Sequence, residues 1–326
     1  MKREILEILR ERGDFVSGAE LCEKFGVSRT AVWKAVRSLT EEGYQIEAVR
    51  NRGYRLIESP DILSEEIVRR ELHTRWAGKQ LEVYDQIGST NDRLREVGEA
   101  GAPEGTLIVA NHQTAGKGRR GRVWQTPAGS ALAFSLLLRP AIPPEKVSML
   151  TLAAAVAVRR GIEKASGLSC RIKWPNDVVH SGKKICGILT ELSAEMEQVR
   201  FCIVGIGINV TVRDFPGELR DKATSILTET GKTVSRSVLL NDILEAFEEL
   251  YEAVERDQDL SSILPEYEAN MAGINEKVII EDPKRQRQGT CLGITPLGAM
   301  KVRYDDGSGE DIISGEVSVR GLYRYI

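Results

Sequence analysis

The chain has 326 residues, 41% hydrophobic and 29% charged, and its 45 Lys and Arg against 48 Asp and Glu leave a formal net charge of −3. That length buries a sizeable core and allows two or three domains, and the near-balance of charge excludes a chain that is basic throughout, so any DNA contact has to come from a local patch. Cys22, Cys170, Cys186, Cys202 and Cys291 are odd in number and never form a C-x-x-C pair, which argues against a disulfide framework or a zinc site and points to a reducing cytoplasm.

The N-terminal MKREILEILRER is charged and amphipathic, unlike a signal peptide. No run of sequence approaches the roughly 18 apolar residues of a membrane span, so no membrane partner is expected. Ile5, Leu6, Ile8 and Leu9 predict a short helix that Gly13 ends. Ser17 followed by Glu20 reads as a capping box opening a second helix, closed by Gly26. Ser28 is placed to cap a third, in which Val32, Val36 and Leu39 face inward and Arg29, Thr30, Trp33, Lys34 and Arg37 face out. Two helices across a short turn, the second exposing basic side chains, form a helix-turn-helix suited to a major groove. YQIEAV and YRLI around RNRG then predict a wing with Arg50 and Arg52 at its tip and Arg55 on its return strand. From Lys24 to Leu56, seven Lys or Arg stand against three Glu, a local net of +4. Operator DNA is the expected partner, and a small helical domain with a solvated or protein-binding charged face is the alternative.

ESPDILS (58–64) reads as a linker, with Ser64 capping the helix that follows. Strand-like LEVYDQI, TLIVAN, SALAFSLLL, CRIKW, ICGILTEL and FCIVGIGINV alternate with helices from about Asn91 and over 145–165, predicting a central sheet. Between TLIVAN and SALAFSLLL lies TAGKGRRGRVW (114–124), whose GKGRRG fits G-x-G-x-x-G. A dinucleotide fold needs that spacing to run from a strand into a helix, but Pro127 and Gly129 oppose a helix here, and the G-K-S/T ending of a Walker loop is absent. What remains is a flexible cationic loop able to close over a phosphate or carboxylate. KWPNDVV (173–179) sets Asn176 and Asp177 at a strand end, and SGKKICGI sets Lys183 and Lys184 at a hairpin turn, where a lysine either neutralises a transferring phosphoryl group or is simply solvated.

Five motifs now stand in order: GSTN (88–91), QTAGKGRRGRVW (113–124), KWPND (173–177), K-x-x-G-I-L (184–189) and GIGIN (205–209). Together with the winged helix they resemble biotin protein ligases over essentially the whole chain, in the bifunctional bacterial form that is also a biotin operon repressor. The resemblance implies that biotin and ATP are substrates, that biotinyl-5′-AMP is the intermediate, and that biotin passes to a lysine of the biotin carboxyl carrier protein of acetyl-CoA carboxylase. It implies further that Ser89, Thr90, Asn91 and Gln113 hold the ureido end of biotin. Lys117, Gly118 and Arg119 would lie in the loop that orders over the ligand, and Lys184, with Arg119, would carry the catalytic charge at the carboxylate and α-phosphate. Trp124 would stack near the adenine, Asn176 would bond it, and Lys173 and Asp177 would help place the phosphates and Mg2+, which arrives with ATP rather than in a protein metal site. Asn209 serves either the adenylate or only a buried strand, and Ser89 or Thr90 serves either the ligand or only a helix cap. Lys117 stands where the family loop most often has Arg, which keeps the charge and loses a bidentate contact.

Strong helical periodicity covers 237–257, and short β segments from Glu276 onward resemble the family's small SH3-like barrel. The expected fold is therefore an α+β multidomain protein: a winged helix-turn-helix over 1–60, a mixed-sheet α/β ligase domain over 64–272 and an SH3-like barrel over 274–326. Helix-turn-helix proteins read paired half-sites as dimers, and a homodimer promoted by biotinyl-5′-AMP is expected. A lipoate ligase and a ligand-sensing regulator without catalysis are the competing functions.

Overall fold

A computed structural model of the full chain describes residues 1–41, 44–58, 61–195, 198–281, 286–313 and 318–321. The chain forms two compact units, Met1–Ile62 and Leu63–Ile326.

The first unit runs α1 (Lys2–Arg12), α2 (Gly18–Phe25), α3 (Arg29–Glu41), β1 (Gln45–Val49) and β2 (Gly53–Glu58). Ile5, Leu9, Leu21, Val32, Val36 and Leu39 form its buried core, as the periodicity requires. Ser17 Oγ accepts the Glu20 N–H at 3.0 Å and Ser28 Oγ accepts the Ala31 N–H at 3.3 Å, so both expected N-caps are made. The Glu20 carboxylate turns instead to Arg12, which takes it away from a reciprocal capping box. β1 and β2 pair antiparallel as the wing, and Val16 and Tyr54 exchange backbone hydrogen bonds at 2.9 Å, tying the wing to the α1–α2 connection.

The second unit begins with α4 (Glu65–Glu71), β3 (Leu81–Tyr84), α5 (Thr90–Glu99), β4 (Leu107–Ala110), β5 (Gly116–Lys117), β6 (Val123–Trp124) and β7 (Ala131–Leu138). It continues with α6 (Ser148–Ser166), β8 (Arg171–Lys173), β9 (Asp177–His180), β10 (Lys183–Glu195), β11 (Gln198–Asn209), α7 (Ile226–Thr230), α8 (Arg236–Asp257) and α9 (Leu264–Ala269). β12 (Lys277–Glu281), β13 (Gln286–Ile294), β14 (Met300–Arg303), β15 (Gly309–Ile312) and β16 (Ser318–Gly321) close the chain.

Seven strands form one mixed sheet in the order β3-β4-β7-β11-β10-β9-β8, parallel only between β3 and β4. Side chains alternate along a strand, and here the alternation separates two jobs. Leu132, Phe134, Leu136 and Leu138 of β7 join Cys202, Val204, Ile206 and Ile208 of β11 in the large core that includes α6 and α8. The intervening positions face the other way, where Leu137, Phe201 and Ile203 pack with Leu94 of α5.

The last five strands form a sheet ordered β15-β14-β13-β12-β16, with every pairing antiparallel. Its edge strands β15 and β16 do not pair with each other among the described residues, so what is seen is an open antiparallel sheet and not the closed barrel expected for 274–326. Val278, Ile280, Ile294 and Met300 share the central core, and Trp174 Nε1 donates to the Gly298 carbonyl at 3.0 Å, joining this sheet to the β8–β9 turn.

Glu248 of α8, only 2% exposed, accepts the backbone N–H groups of Arg75, Trp76 and Ala77 at 2.9, 2.7 and 2.8 Å. The sequence shows only a Glu on the predicted helix, since its partners lie more than 170 residues away. Glu248→Ala strands those donors and is expected to cost about 2–4 kcal/mol. A lowered midpoint of urea unfolding checks this, and an unchanged midpoint contradicts it.

Candidate functional site

On the face of the central sheet opposite α6 and α8, β10 and β11 run short of side chains. Gly187 pairs with Gly207 and Leu189 with Gly205, and across β7 Gly205 meets Ser135 and Gly207 meets Ala133. The result is a shallow floor, and a cleft of about 460 Å³ stands over it, lined by Ser89, Thr90, Asn91, Gln113, Lys117, Gly118, Arg119, Trp124, Asn176, Lys184, Gly187, Ile188, Leu189, Gly205, Ile206 and Gly207. At two glycines of this floor any side chain would collide with a neighbouring side chain. A Cβ on Gly205 would sit 2.1 Å from Asn91 Oδ1, and one on Gly207 would sit 2.6 Å from Trp124 Cε2. The glycines of GIGIN therefore make room for these two side chains.

One end of the cleft is a polar socket. Ser89 precedes α5 but its side chain makes no capping hydrogen bond, which removes the cap-only reading for that residue. The Thr90 N–H donates to Gln113 Oε1 at 2.7 Å, with Thr90 Oγ1 3.0 Å from the same oxygen. Ser135 Oγ, fully buried, lies 2.7 Å from Thr90 Oγ1 and 2.6 Å from Asn91 Oδ1. Asn91 Nδ2 donates to Glu191 Oε2 at 2.7 Å, and Arg95 donates to the other Glu191 oxygen at 2.9 Å.

The other end is cationic. TAGKGRRGRVW is not an irregular loop: β5 and β6 pair as a short hairpin around a 3-10 turn at Arg119–Gly121. Its glycines lead back into a strand and not into a helix, in keeping with the exclusion of a dinucleotide loop. Lys117 is ion-paired with Asp92 of α5, and Arg119 donates to Asn176 Oδ1 at 3.0 Å. Asn176 in turn exchanges bonds with Ile188 on β10, its Nδ2 donating to the carbonyl at 3.0 Å and its own carbonyl accepting the Ile188 N–H at 2.9 Å. Lys184 Nζ lies 2.6 Å from Asp177 Oδ1 and 5.6 Å from the centre of the Trp124 ring.

Positive charge is in excess here. Burial pushes the Lys173 ammonium down to about 8; Asp177 opposes that shift, and Lys184 and Arg122 add to it. Burial likewise lowers the Arg119 guanidinium from its usual range, again opposed by Asp177 and reinforced by Arg120 and Arg122. Cations so crowded around one carboxylate gain from an arriving anion. The site can therefore hold a ligand with a polar head in the socket, an apolar body on the glycine floor and an anionic group beside Lys184.

Of the expected ligand-site residues, Ser89, Thr90, Asn91, Gln113, Lys117, Gly118, Arg119, Trp124, Asn176 and Lys184 line this cleft. Lys173 and Asp177 sit behind it, 9% and 7% exposed. Asn209 does not line it; its amide donates to the Thr224 carbonyl at 3.0 Å, at the buried end of β11. Sequence reasoning missed Ser135 and Glu191. The available signal was a polar residue interrupting each of the apolar runs ALAFSLLL and ICGILTEL on the face away from the core.

A second surface lies on α3, where Arg29, Thr30, Trp33, Lys34 and Arg37 are all exposed, as are Arg50 and Arg52 on the wing. The Arg37 guanidinium lies 5.4 Å from the Trp33 ring centre and donates to Glu41 at 3.0 Å. Arg52 and Arg55 cover the Phe15 ring at 4.1 and 4.8 Å. Among the described residues there is no cluster of three His, Cys, Asp or Glu side chains able to hold a metal ion, and no helix is long and apolar enough to cross a membrane.

Three family models match the chain: an HTH domain over residues 2–55, the biotin/lipoate A/B protein ligase family over 83–209, and a biotin protein ligase C-terminal domain over 273–320. The bifunctional ligase/repressor BirA of Bacillus subtilis is 42% identical over 313 residues, covering 94% of this chain and 95% of the relative. The biotin–[acetyl-CoA-carboxylase] ligase of Paracoccus denitrificans is 34% identical over 205 residues, covering 61% of this chain and 85% of the relative. Among solved structures, the biotin protein ligase of Aquifex aeolicus in complex with biotin and ATP matches with a TM-score of 0.66 and 31% identity, covering 74% of this chain and 99% of that one. The cleft between α5 and the glycine-floored strands, the helix-turn-helix ahead of it and the antiparallel sheet behind it thus place this chain in the biotin/lipoate A/B protein ligase family, in its form with a helix-turn-helix domain.

Proposed function

We propose that this chain is a cytoplasmic biotin–[acetyl-CoA-carboxylase] ligase and biotin-responsive repressor. It forms biotinyl-5′-AMP from biotin and ATP, passes biotin to a lysine of the biotin carboxyl carrier protein, and represses genes of biotin synthesis or uptake. The observation that carries this reading is one cleft with a polar socket at one end, cations at the other and a glycine floor between them.

In this reading Ser89, Thr90, Asn91 and Gln113 hold the ureido head. Lys184 and Arg119 neutralise the biotin carboxylate and the α-phosphate as the anhydride forms, while Lys117 and Gly118 belong to the hairpin that covers the ligand. Trp124 and Asn176 face the adenine, with Lys173 and Asp177 behind the phosphates and Asn209 anchoring the end of β11. Carboxylate attack on phosphorus needs alignment and charge neutralisation more than a protein nucleophile, which suits a site built of amides and cations. The second step is attack by the carrier's lysine amine on the acyl-adenylate, in a cleft that keeps water out.

Asp177 is already ion-paired with Lys184, and the described residues offer no multi-carboxylate cage. Mg2+ would therefore arrive on the phosphates of ATP and keep much of its water. We assign 1–60 to operator binding, 64–272 to ligation and 274–326 to a small SH3-like module that steadies the ligase domain or docks the carrier. The adenylate promotes a homodimer, which reads paired half-sites. The helix-turn-helix favours this reading over a lipoate ligase, and the cation-rich cleft favours it over a regulator without catalysis.

Incubation with biotin, ATP and a carrier domain, followed by mass measurement of the carrier, is expected to show one added biotinyl group; lipoylation in its place would overturn the reading. Lys184→Ala is expected to lower biotin-dependent pyrophosphate release about 100-fold or more while the helix-turn-helix unit, which has its own core, stays folded; retained activity would remove Lys184 from the mechanism. Arg50→Ala and Arg52→Ala are expected to weaken binding across DNA sequences and to reduce the slope of log affinity against log salt by about one each. An unchanged slope would take the wing off the phosphates.

A further inference from the structure

The hairpin segment TAGKGRRGRVW carries four cations and no acid, and its Lys117, Gly118, Arg119 and Trp124 line the same cleft as Lys184. Like charges oppose that approach, so the attachment of the hairpin has to come from outside it. On the β10 side Arg119 donates to Asn176 Oδ1 at 3.0 Å, and the Trp124 ring lies over Gly207. On the α5 side the Thr114 and Ala115 N–H groups donate to the Ile87 and Gly88 carbonyls at 2.9 and 2.8 Å, both before β5 begins at Gly116.

Beyond those two bonds, Lys117 reaches α5 through its ion pair with Asp92. Asp92 stands in the first turn of α5, where the helix N-terminus favours a carboxylate, and Leu94 seats that helix against Leu137, Phe201 and Ile203 of the sheet. The pair thus ties the cationic hairpin to a fixed element. Both side chains are 44% exposed, which places the pair at the rim of the cleft and not in its interior. A lysine suits this task, since one ammonium answering one carboxylate needs no bidentate fork.

We infer that Asp92 is a positioning residue for the ligase reaction: by pairing with Lys117 it holds the hairpin closed over the cleft and slows escape of the acyl-adenylate before the carrier's amine arrives. The inference rests on the reading of the cleft as a biotin and ATP site. Asp92 acts through Lys117 and not on the reacting atoms, so its removal changes retention and not the chemical step. An exposed pair contributes modestly and is screened by salt, which sets both the size and the salt dependence of the effect.

Asp92→Asn in the full-length protein tests this. Release of preformed, labelled biotinyl-5′-AMP, chased with unlabelled biotin and ATP at low salt without carrier, is expected to be about three- to fivefold faster than in wild type. The single-turnover rate of adenylate formation and Tm should stay nearly unchanged. Lys117→Met leaves the acid on α5 and should give the same acceleration, and the double variant should be no faster than either single one. At about 1 M salt the ratio of variant to wild-type release should fall toward one. In the ligand-free protein, trypsin should cut after Arg119, Arg120 or Arg122 faster in Asp92→Asn than in wild type. Equal release by Asp92→Asn and wild type, additive effects of the two substitutions, equal cutting by trypsin, or a lowered Tm with adenylate formation slowed in step would each overturn the proposal. Absence of adenylate formation in the wild type, with the difference in cutting present, would instead overturn the ligase reading and with it the retention role.

Discussion

The site depends on a strip of sheet from which side chains have been withdrawn. Gly187, Gly205 and Gly207 lie in register beside Ala133 and Ser135, and the backbone itself becomes the floor. Substituting any of the three glycines would drive a Cβ into Lys184, Asn91 or Trp124 respectively. Glycine in a strand weakens it through lost packing and greater chain entropy. Here the opposite face offsets that loss, because the alternate residues of β7 and β11 are buried against the helical layer. One face of the sheet is stable enough to leave the other open.

Around that floor the two ends of the cleft follow different physical rules. The socket is held by hydrogen bonds among buried groups, with Glu191 accepting from both Asn91 and Arg95. The opposite end works by accumulated charge. Lys173, Lys184, Arg119 and Arg122 gather near one carboxylate, and burial lowers the proton affinity of Lys173 and Arg119. Asp177 opposes that lowering at both groups. The chain has three histidines, and none of them is among the residues that line the cleft.

The regulatory unit keeps its own core and shares no such constraint. Its basic residues stay exposed on α3 and the wing, and aromatic rings hold several of them: Trp33 beneath Arg37, and Phe15 beneath Arg52 and Arg55. Holding a guanidinium on a ring limits the conformers lost on binding, which favours phosphate contact without adding charge.

Much of this was legible in the chain before any coordinates. Apolar periodicity marked α1 to α3 and α8, the cap residues Ser17, Ser28 and Ser64 marked helix starts, and strand context around GKGRRG ruled out a dinucleotide loop. These are local properties, set by spacing of a few residues along one segment. The resemblance of five motifs pointed to most of the cleft lining, though not to its form. Pairing of β10 with β11 and of β11 with β7 was decided only by tertiary structure, and with it the alignment of Gly187, Gly205, Gly207 and Ser135 into one floor. The bond from Glu191 to Asn91 spans 100 residues and that from Glu248 to Ala77 spans 171. Partners at such separations leave no periodic trace, because a polar residue shows its role only when the fold removes water from around it and leaves one neighbour in reach. The chain by itself determined which segments become helices and strands and that cations gather on a Gly-rich turn; folding decided which glycine meets which side chain, and thereby what the cleft can hold.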